Sequence, residues 1–376
     1  MIRLLAAFCM IVALASALWL WNARGSGIGA DLAGDKGVDA AQANEAIALA
    51  VLGDSDSHSY QDRRSFAPGN KLRGGQYRAT TLQWTEALAR MRGDQLYLGH
   101  WGLHGVARPR ALVDRLLGGE PAPPRKEDYR YNFAVSGSKC SDLMGGKWQF
   151  ARSLAAQMRR EPERWRNGVV VIRIGVNSFG QTEHLKQLAF DSDATGVQDE
   201  ISRCVREISE TVKLLHAQQP GLRIVLVGIF NNAHWAKRIE SWQSPQALAN
   251  IQAGLGVFDQ ALLEVVAQDS RLAFFDDQAW FKARWGSRDP SGRPAYRSVH
   301  MGALEVTNSI GDAPRHAVVA DGHAGTVYNS LWAQSLVDCL NTNFALGVTP
   351  ISDAEVLALV QRNAIMSDQA LVAAQR

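Results

Sequence analysis

Residues 45–60 read EAIALAVLGDSDSHSY, and this stretch decides how the rest of the chain folds. Ile47 to Leu52 is apolar almost throughout and stops at Gly53, after which the residues are small and polar. A short continuous apolar run ended by a turn is the pattern of a strand buried on both faces of a parallel sheet. Open α/β sheets take their ligands beyond the carboxyl ends of such strands, so Asp54, Ser55, Asp56, Ser57 and His58 stand where chemistry is expected. Gly-Asp-Ser is also ordinary turn composition, and His58 reads as part of a solvated turn. The remaining motifs of the chain have to decide between the two readings.

Upstream of this stretch, residues 25–43 are rich in Gly, Ala and Asp without a sustained period, which reads as a linker. Residues 1–24 are of another kind: Arg3, then LLAAFCMIVALASALWLW, with no further charge before Arg24. This is a signal peptide with small residues Ala15, Ser16 and Ala17 at a cleavage site, or an uncleaved membrane anchor with Trp19 and Trp21 at the interface. Either reading exports the rest of the chain to a periplasmic or extracellular location. Beyond that segment lie Cys140, Cys204 and Cys339, an odd set that allows at most one bridge and does not say which. Neither a CxxC nor a Cys/His spacing is present, so no zinc site is expected.

Downstream, apolar strands alternate with helices. Thr80 and Gln83 have capping-box spacing ahead of a helix carrying Leu82, Thr85, Leu88, Ala89 and Met91. Residues 93–128 are irregular and read as an insertion over the sheet edge. Tyr129 to Val135 reads as a strand, Trp148 to Arg160 as a helix, and VVVIRIG at 169–175 as the clearest buried strand of the chain. Val197, Ile201, Val205, Ile208, Val212 and Leu215 step by three and four along a long helix that Pro220 and Gly221 stop. Arg223 to Ile229 is the next strand. Ser244 and Pro245 open a helix through Leu248, Ile251, Leu255, Phe258, Leu262 and Val266, and Leu272 to Phe275 is the last short strand. This alternation gives a parallel sheet with helices on both faces, in one α/β domain over residues 44–344. Ser352 and Glu355 start a further helix in a tail over residues 345–376.

Four strand ends carry residues that a structural role alone does not explain: Ser55, Gly137 in NFAVSGSK, Asn177 in IRIGVNS, and Asp321 with His323 in VADGHAGT. A serine hydrolase needs a nucleophile, a base, an acid that orients the base, and donors for the oxyanion. Ser55, His323 and Asp321 fit the first three, in that order. The N–H groups of Ser55 and Gly137 and the amide of Asn177 fit the last.

At these residues the chain resembles the SGNH hydrolases, the GDSL esterase and lipase family. Gly53, Asp54 and Ser55 match the family's first block, Gly137 with Asn132 before it the second, Gly175, Val176 and Asn177 the third, and Asp321 with His323 the last. The resemblance implies an SGNH-hydrolase-like, flavodoxin-like three-layer sandwich with a central parallel sheet and an esterase that needs no cofactor or metal. Asp56 replaces a common Leu, Ser178 replaces the Asp that usually follows the third-block Asn, and Asp321 precedes His323 by two positions where the family has three. The tryptophans Trp101, Trp235, Trp242, Trp280 and Trp285, in or near loops, are either buried or available to stack on sugar rings.

The resulting expectation is an exported serine esterase acting on a small-molecule or glycan ester, including O-acyl or O-acetyl groups of carbohydrate or cell-envelope material. Two other readings compete. One is a membrane-tethered protein that keeps the fold but only binds a glycan or a partner. The other is a magnesium-dependent phosphatase with Asp54 as nucleophile, Asp56 as acid/base and Asp276 with Asp277 on the metal; it leaves Gly137, Asn177 and His323 unexplained. A net charge of +3 spread along 376 residues gives no footprint for nucleic acid, which is excluded as a partner.

Overall fold

The computed structural model describes residues 45–66, 81–107 and 120–374. The export segment, the linker, most of the polar loop after Gln61 and the middle of the 93–128 insertion lie outside the described residues.

The apolar run forms β1 (Ile47–Gly53), followed by α1 (Trp84–Arg92) and a two-residue strand β2 (Leu96–Tyr97). An antiparallel pair, β3 (Trp101–His104) and β4 (Lys126–Tyr129), stands beside them. Then come α2 (Phe150–Arg160), the single turn α3 (Pro162–Trp165), β5 (Val169–Arg173), the short α4 (Val176–Phe179), α5 (Thr182–Phe190), α6 (Thr195–Gln218) and β6 (Arg223–Val227). The chain continues through α7 (Pro245–Val266), β7 (Leu272–Phe275) and α8 (Asp277–Trp285). Five short strands follow: β8 (Gly286–Arg288), β9 (Pro294–Tyr296), β10 (Val299–Met301), β11 (Leu304–Ile310) and β12 (His316–Val318). Two helices close the described chain, α9 (Thr326–Phe344) and α10 (Asp353–Ala374).

The main sheet is wholly parallel, in the order β2-β1-β5-β6-β7. Counting only these five strands in chain order, the arrangement is 2-1-3-4-5, the doubly wound flavodoxin-like order, whose switch point lies at the first strand. Leu49 pairs with Val169, and Val169 with Arg223, so the carboxyl ends of β1, β5 and β6 open at one edge. Leu49, Val51, Val169, Val171, Val225 and Val227 turn to one face, where Trp84 and Leu88 of α1 and Trp332 and Leu336 of α9 cover them. The alternate residues turn to the layer of α2, α6 and α7. Each fully buried valine or leucine in these strands stabilises the fold by roughly 2 kcal/mol.

Several expectations are corrected. The cap of α1 is not at Thr80, which lies outside the described residues: the Gln83 side chain accepts from Trp84 N–H, and Glu86 reaches back to Gln83 N–H at 2.6 Å. The 93–128 stretch contributes an edge strand of the main sheet, β2, too short for its pattern to register in sequence. Tyr129 to Val135 is not a full strand. It runs beside the end of β1 through Val51 N–H to Tyr131 O at 3.0 Å and Phe133 N–H to Val51 O at 2.8 Å, and then turns. The small sheets between Gly286 and Val318 went unread because their strands are three to seven residues long and half-exposed.

One disulfide forms, Cys140 to Cys204 with Cα atoms 5.0 Å apart, tying the segment after Gly137 to α6. Cys339 carries a free thiol whose pKa burial pushes up to about 11. No helix among the described residues is long and apolar enough to cross a membrane.

Candidate active site

At the end of β1, Gly53 approaches β5 so closely that a Cβ atom would lie 2.7 Å from the Arg173 carbonyl oxygen. Only glycine fits there. The chain then folds into a tight turn in which Ser57 and His58 N–H groups donate to the Asp54 carbonyl at 3.2 and 3.0 Å. Asp54 is buried beneath this turn and its Oδ1 accepts the Asp56 N–H at 3.0 Å. Gln83 Nε2 donates to the Ser55 carbonyl at 3.2 Å, so the N-terminus of α1 steadies the half-buried serine.

His323 comes to the same edge from the opposite end of the chain. Its Nδ1 lies 3.1 Å from Asp321 Oδ1, and its backbone N–H donates to that same oxygen at 2.9 Å. The turn is pinned from three sides. Trp235 Nε1 donates to Gly322 O at 2.7 Å, Val319 N–H donates to His323 O at 2.8 Å, and the Tyr60 hydroxyl donates to Ala324 O at 2.5 Å. Tyr60 thus fastens the serine turn to the histidine turn directly.

Gly137 has φ +81°, with no heavy atom within 4 Å of where a Cβ would stand, so backbone conformation and not space demands glycine there. Asn177 sits in α4. Its Nδ2 donates to Ser138 O at 3.1 Å, and its Oδ1 accepts from Gln181 Nε2 at 2.9 Å. Ser178 is buried, and its Oγ accepts the Cys140 N–H at 3.0 Å. Two hydrogen bonds therefore hold the Gly137 segment against α4.

Ser55, Gly137, Asn177, Asp321 and His323 line one cavity of about 400 Å³, so the structure brings together every residue the four motifs singled out. The cavity also holds residues that sequence reasoning missed: Gln83, Arg173, Gln181, Lys237, Arg238 and Tyr328. Only Gln181 had a readable signal, standing four positions after Asn177 as a helical neighbour would. Arg173 is buried at the end of β5. It pairs with Asp277 at 2.9 Å, donates to Asp56 O at 3.0 Å and lies 4.4 Å from the Trp332 ring centre.

His58 is not in a solvated turn. It is 1% exposed and clasped between Asp62 Oδ2, 2.9 Å from Nε2, and the Ser136 N–H, which donates to Nδ1 at 3.1 Å. A backbone N–H can only donate, so Nδ1 accepts and Nε2–H points at Asp62. Burial opposes ionisation of the Asp62 carboxyl. The His58 hydrogen bond, with donors from Ser65 and Glu127, outweighs it and holds the carboxyl below the ordinary range. His58 joins the serine turn to the residue before Gly137.

The tryptophans are chiefly core. Trp235, Trp242, Trp280 and Trp285 are buried, and the half-buried Trp101 packs edge-on against Tyr129 at 5.1 Å. Of these only Trp235 lines the cavity. The carboxylates assigned to a magnesium site serve elsewhere: Asp276 Oδ1 caps α8 by accepting Ala279 N–H at 2.8 Å, and Asp277 Oδ1 accepts Trp332 Nε1 at 2.8 Å while its Oδ2 binds Arg173. Among the described residues no three His, Cys, Asp or Glu side chains gather as metal ligands would.

No protein-family model matches this sequence, and no curated protein does. Among solved structures the chain is similar to an extracellular lipase from Streptomyces rimosus, with 16% identity over 77% of this chain and 100% of that one and a TM-score of 0.35. It is also similar to phospholipase A1 from Streptomyces albidoflavus, with 14% identity over 64% of this chain and 83% of that one and a TM-score of 0.32. An acetyl xylan esterase from Butyrivibrio proteoclasticus is a third, at 12% identity over 80% and 64% of the two chains, with a TM-score of 0.30.

Proposed function

We propose that the chain is an exported serine esterase of the SGNH hydrolase type, cleaving a carboxylic ester through an acyl-enzyme on Ser55. The observation that carries this reading is the meeting of Ser55, Gly137, Asn177 and the hydrogen-bonded Asp321–His323 pair around one cavity at the carboxyl edge of the sheet.

In this mechanism the Asp321 carboxylate accepts the Nδ1–H of His323, which leaves Nε2 as the base that takes the Ser55 proton. Ser55 Oγ attacks the ester carbonyl. The negative charge that develops on the carbonyl oxygen is met by the N–H groups of Ser55 and Gly137 and by the Asn177 amide hydrogen not given to Ser138. His323 then protonates the leaving alkoxide. Water, or another acyl acceptor, repeats the sequence on the acyl-enzyme. Export is supported by the apolar amino-terminal run and by the Cys140–Cys204 bridge, a bond that persists in oxidising compartments.

The test is intact-mass analysis after treatment with a fluorophosphonate, comparing the wild-type chain with Ser55→Ala and His323→Ala. A single adduct that maps to Ser55 and nearly vanishes in His323→Ala is expected. A folded protein that takes no adduct on Ser55 would overturn the reading.

A further inference from the structure

The cavity walls carry more charges than the ester mechanism uses. Arg173, Lys237 and Arg238 are the cationic residues lining it, and Asp56 and Asp321 the acidic ones. Two of these are answered locally: Arg173 by Asp277 at 2.9 Å, and Asp321 by His323 at 3.1 Å. Lys237 Nζ reaches only the Asp321 carbonyl, at 3.3 Å. Arg238 Nη2 reaches only the neutral Gln181 Oε1, also at 3.3 Å, while its Nη1 is buried with no hydrogen-bond partner among the described residues. Neither cation has an ion-pair partner among those residues, and Asp56 is held by Arg173, which donates to its carbonyl at 3.0 Å.

A buried donor without a partner is costly, and costlier still when it is charged. Burial pushes the Arg238 guanidinium down from its ordinary pKa with no carboxylate to offset it, yet arginine stays protonated at neutral pH. The segment that carries both cations is held in place. Asn231 Oδ1 accepts Ala233 N–H at 3.0 Å, Asn232 Nδ2 donates to Gly180 O at 3.0 Å, and Trp235 Nε1 anchors on Gly322 O. The cations are also close to the reacting groups. Arg238 binds Gln181, which binds Asn177, and Lys237 binds the residue that orients His323.

We propose that Lys237 and Arg238 form an anion-binding subsite beside Ser55, so that the ester taken by this site carries a negatively charged oxygen group. This rests on the esterase reading for the word ester, and on geometry alone for the anion. Arg238, half-buried, and Lys237, exposed at the rim, supply two cavity-lining cations without an ion-pair partner among the described residues.

The test compares kcat/KM of the purified full-length chain on phenyl acetate with three charged counterparts. These are 4-acetoxybenzoate and 4-acetoxyphenyl phosphate, charged on the alcohol side, and the monophenyl ester of succinic acid, charged on the acyl side. At least one charged ester is expected to exceed phenyl acetate by about tenfold, and its identity places the anion and separates carboxylate from phosphate. That ratio is expected to fall by about tenfold in Arg238→Gln and in Lys237→Gln, to survive largely in Arg238→Lys, and to shrink as salt is raised. A wild-type ratio at or below one for all three, or a ratio indifferent to both Gln variants, overturns the subsite while leaving the esterase standing. Calorimetric binding of 4-acetamidobenzoate and of acetanilide to Ser55→Ala needs no turnover. If no ester is cleaved but the charged ligand still binds about tenfold tighter, and Arg238→Gln abolishes the difference, the esterase fails and the subsite holds. Where 4-acetoxybenzoate is the favoured ester, or where no ester is cleaved, equal binding of the two ligands overturns the subsite.

Discussion

One oxygen of Asp321 holds His323 twice, accepting the ring Nδ1–H across 3.1 Å and the backbone N–H across 2.9 Å. This is an Asx-type turn, in which a side chain bonds the backbone two residues on. It gives a physical account of the two-residue spacing. The carboxylate cannot drift, because the backbone that carries the imidazole is tied to it. Asp321→Asn keeps an acceptor for the backbone N–H but loses the negative charge that stabilises the imidazolium. The expected result is a fall in kcat of about a hundredfold or more with KM little changed, and with circular dichroism unaltered. A loss of less than about threefold would mean that another group orients His323.

The Asn177 amide is aimed by its neighbours. Gln181 donates to its oxygen and Ser138 accepts from its nitrogen, which fixes the plane of the amide. If this amide donates to the oxyanion, Asn177→Ala lowers kcat by about a hundred- to a thousandfold. Gln181→Leu leaves the donor in place but removes its brace, so a smaller loss of about tenfold is expected, again in kcat more than in KM. Steady-state kinetics on phenyl acetate checks both. Equal losses would mean that Gln181 touches the substrate itself.

The disulfide bears on the site as well as on stability. Cys140 lies three residues after Gly137, its N–H is held by Ser178 Oγ, and the bridge ties this segment to α6 across a sequence separation of 64. Loop-closure entropy for that length gives roughly 4 kcal/mol of stabilisation. Replacing both Cys140 and Cys204 by Ala should lower the unfolding free energy by a matching amount, read as a lower chemical-denaturation midpoint, and loosening of Gly137 should lower kcat. An unchanged midpoint would show that the packing of α6 holds the segment without the bond.

Much of this architecture is legible in the chain because buried parallel strands advertise themselves. VVVI at 169–172 and IVLV at 224–227 have no polar residue that could face water, and α6 repeats its apolar residues by three and four over many turns. The motif residues were readable for a related reason: small and polar residues directly after such strands have no packing purpose. What escaped is held by tertiary contacts that leave no local pattern. His58 has no periodic neighbour to mark it as buried, and only the arrival of Ser136, 78 positions later, makes it a clasp. The edge strand β2 has two residues, too few for any period, and Arg238 joins the cavity through a loop whose path nothing in the sequence announces.

Glu86 sets a pH dependence that stability measurements can read. It is completely enclosed at the start of α1, accepts hydrogen bonds from the Ser59 hydroxyl and the Gln83 N–H, and stands near Asp128. Burial raises its pKa and the two donors offset only part of the rise, so the carboxyl is pushed up to about 7 from its ordinary 4.5. The folded chain therefore keeps this proton over a range in which the unfolded chain has lost it. The stabilisation is fully present below pH 4.5 and is lost as the pH rises to about 7, a decline of about 3 kcal/mol. Asp259, pushed up to about 7 mainly by burial, contributes a decline of the same sign, so one substitution removes only part of the slope. Glu86→Gln can accept from Gln83 N–H with its oxygen and donate to Ser59 Oγ with its nitrogen, and it has no proton to lose. The variant should be more stable than wild type at pH 8 and close to it at pH 5, with a shallower fall between, measured by urea denaturation at each pH. A variant less stable than wild type at pH 8 would show that Glu86 is ionised in the fold and held by its donors.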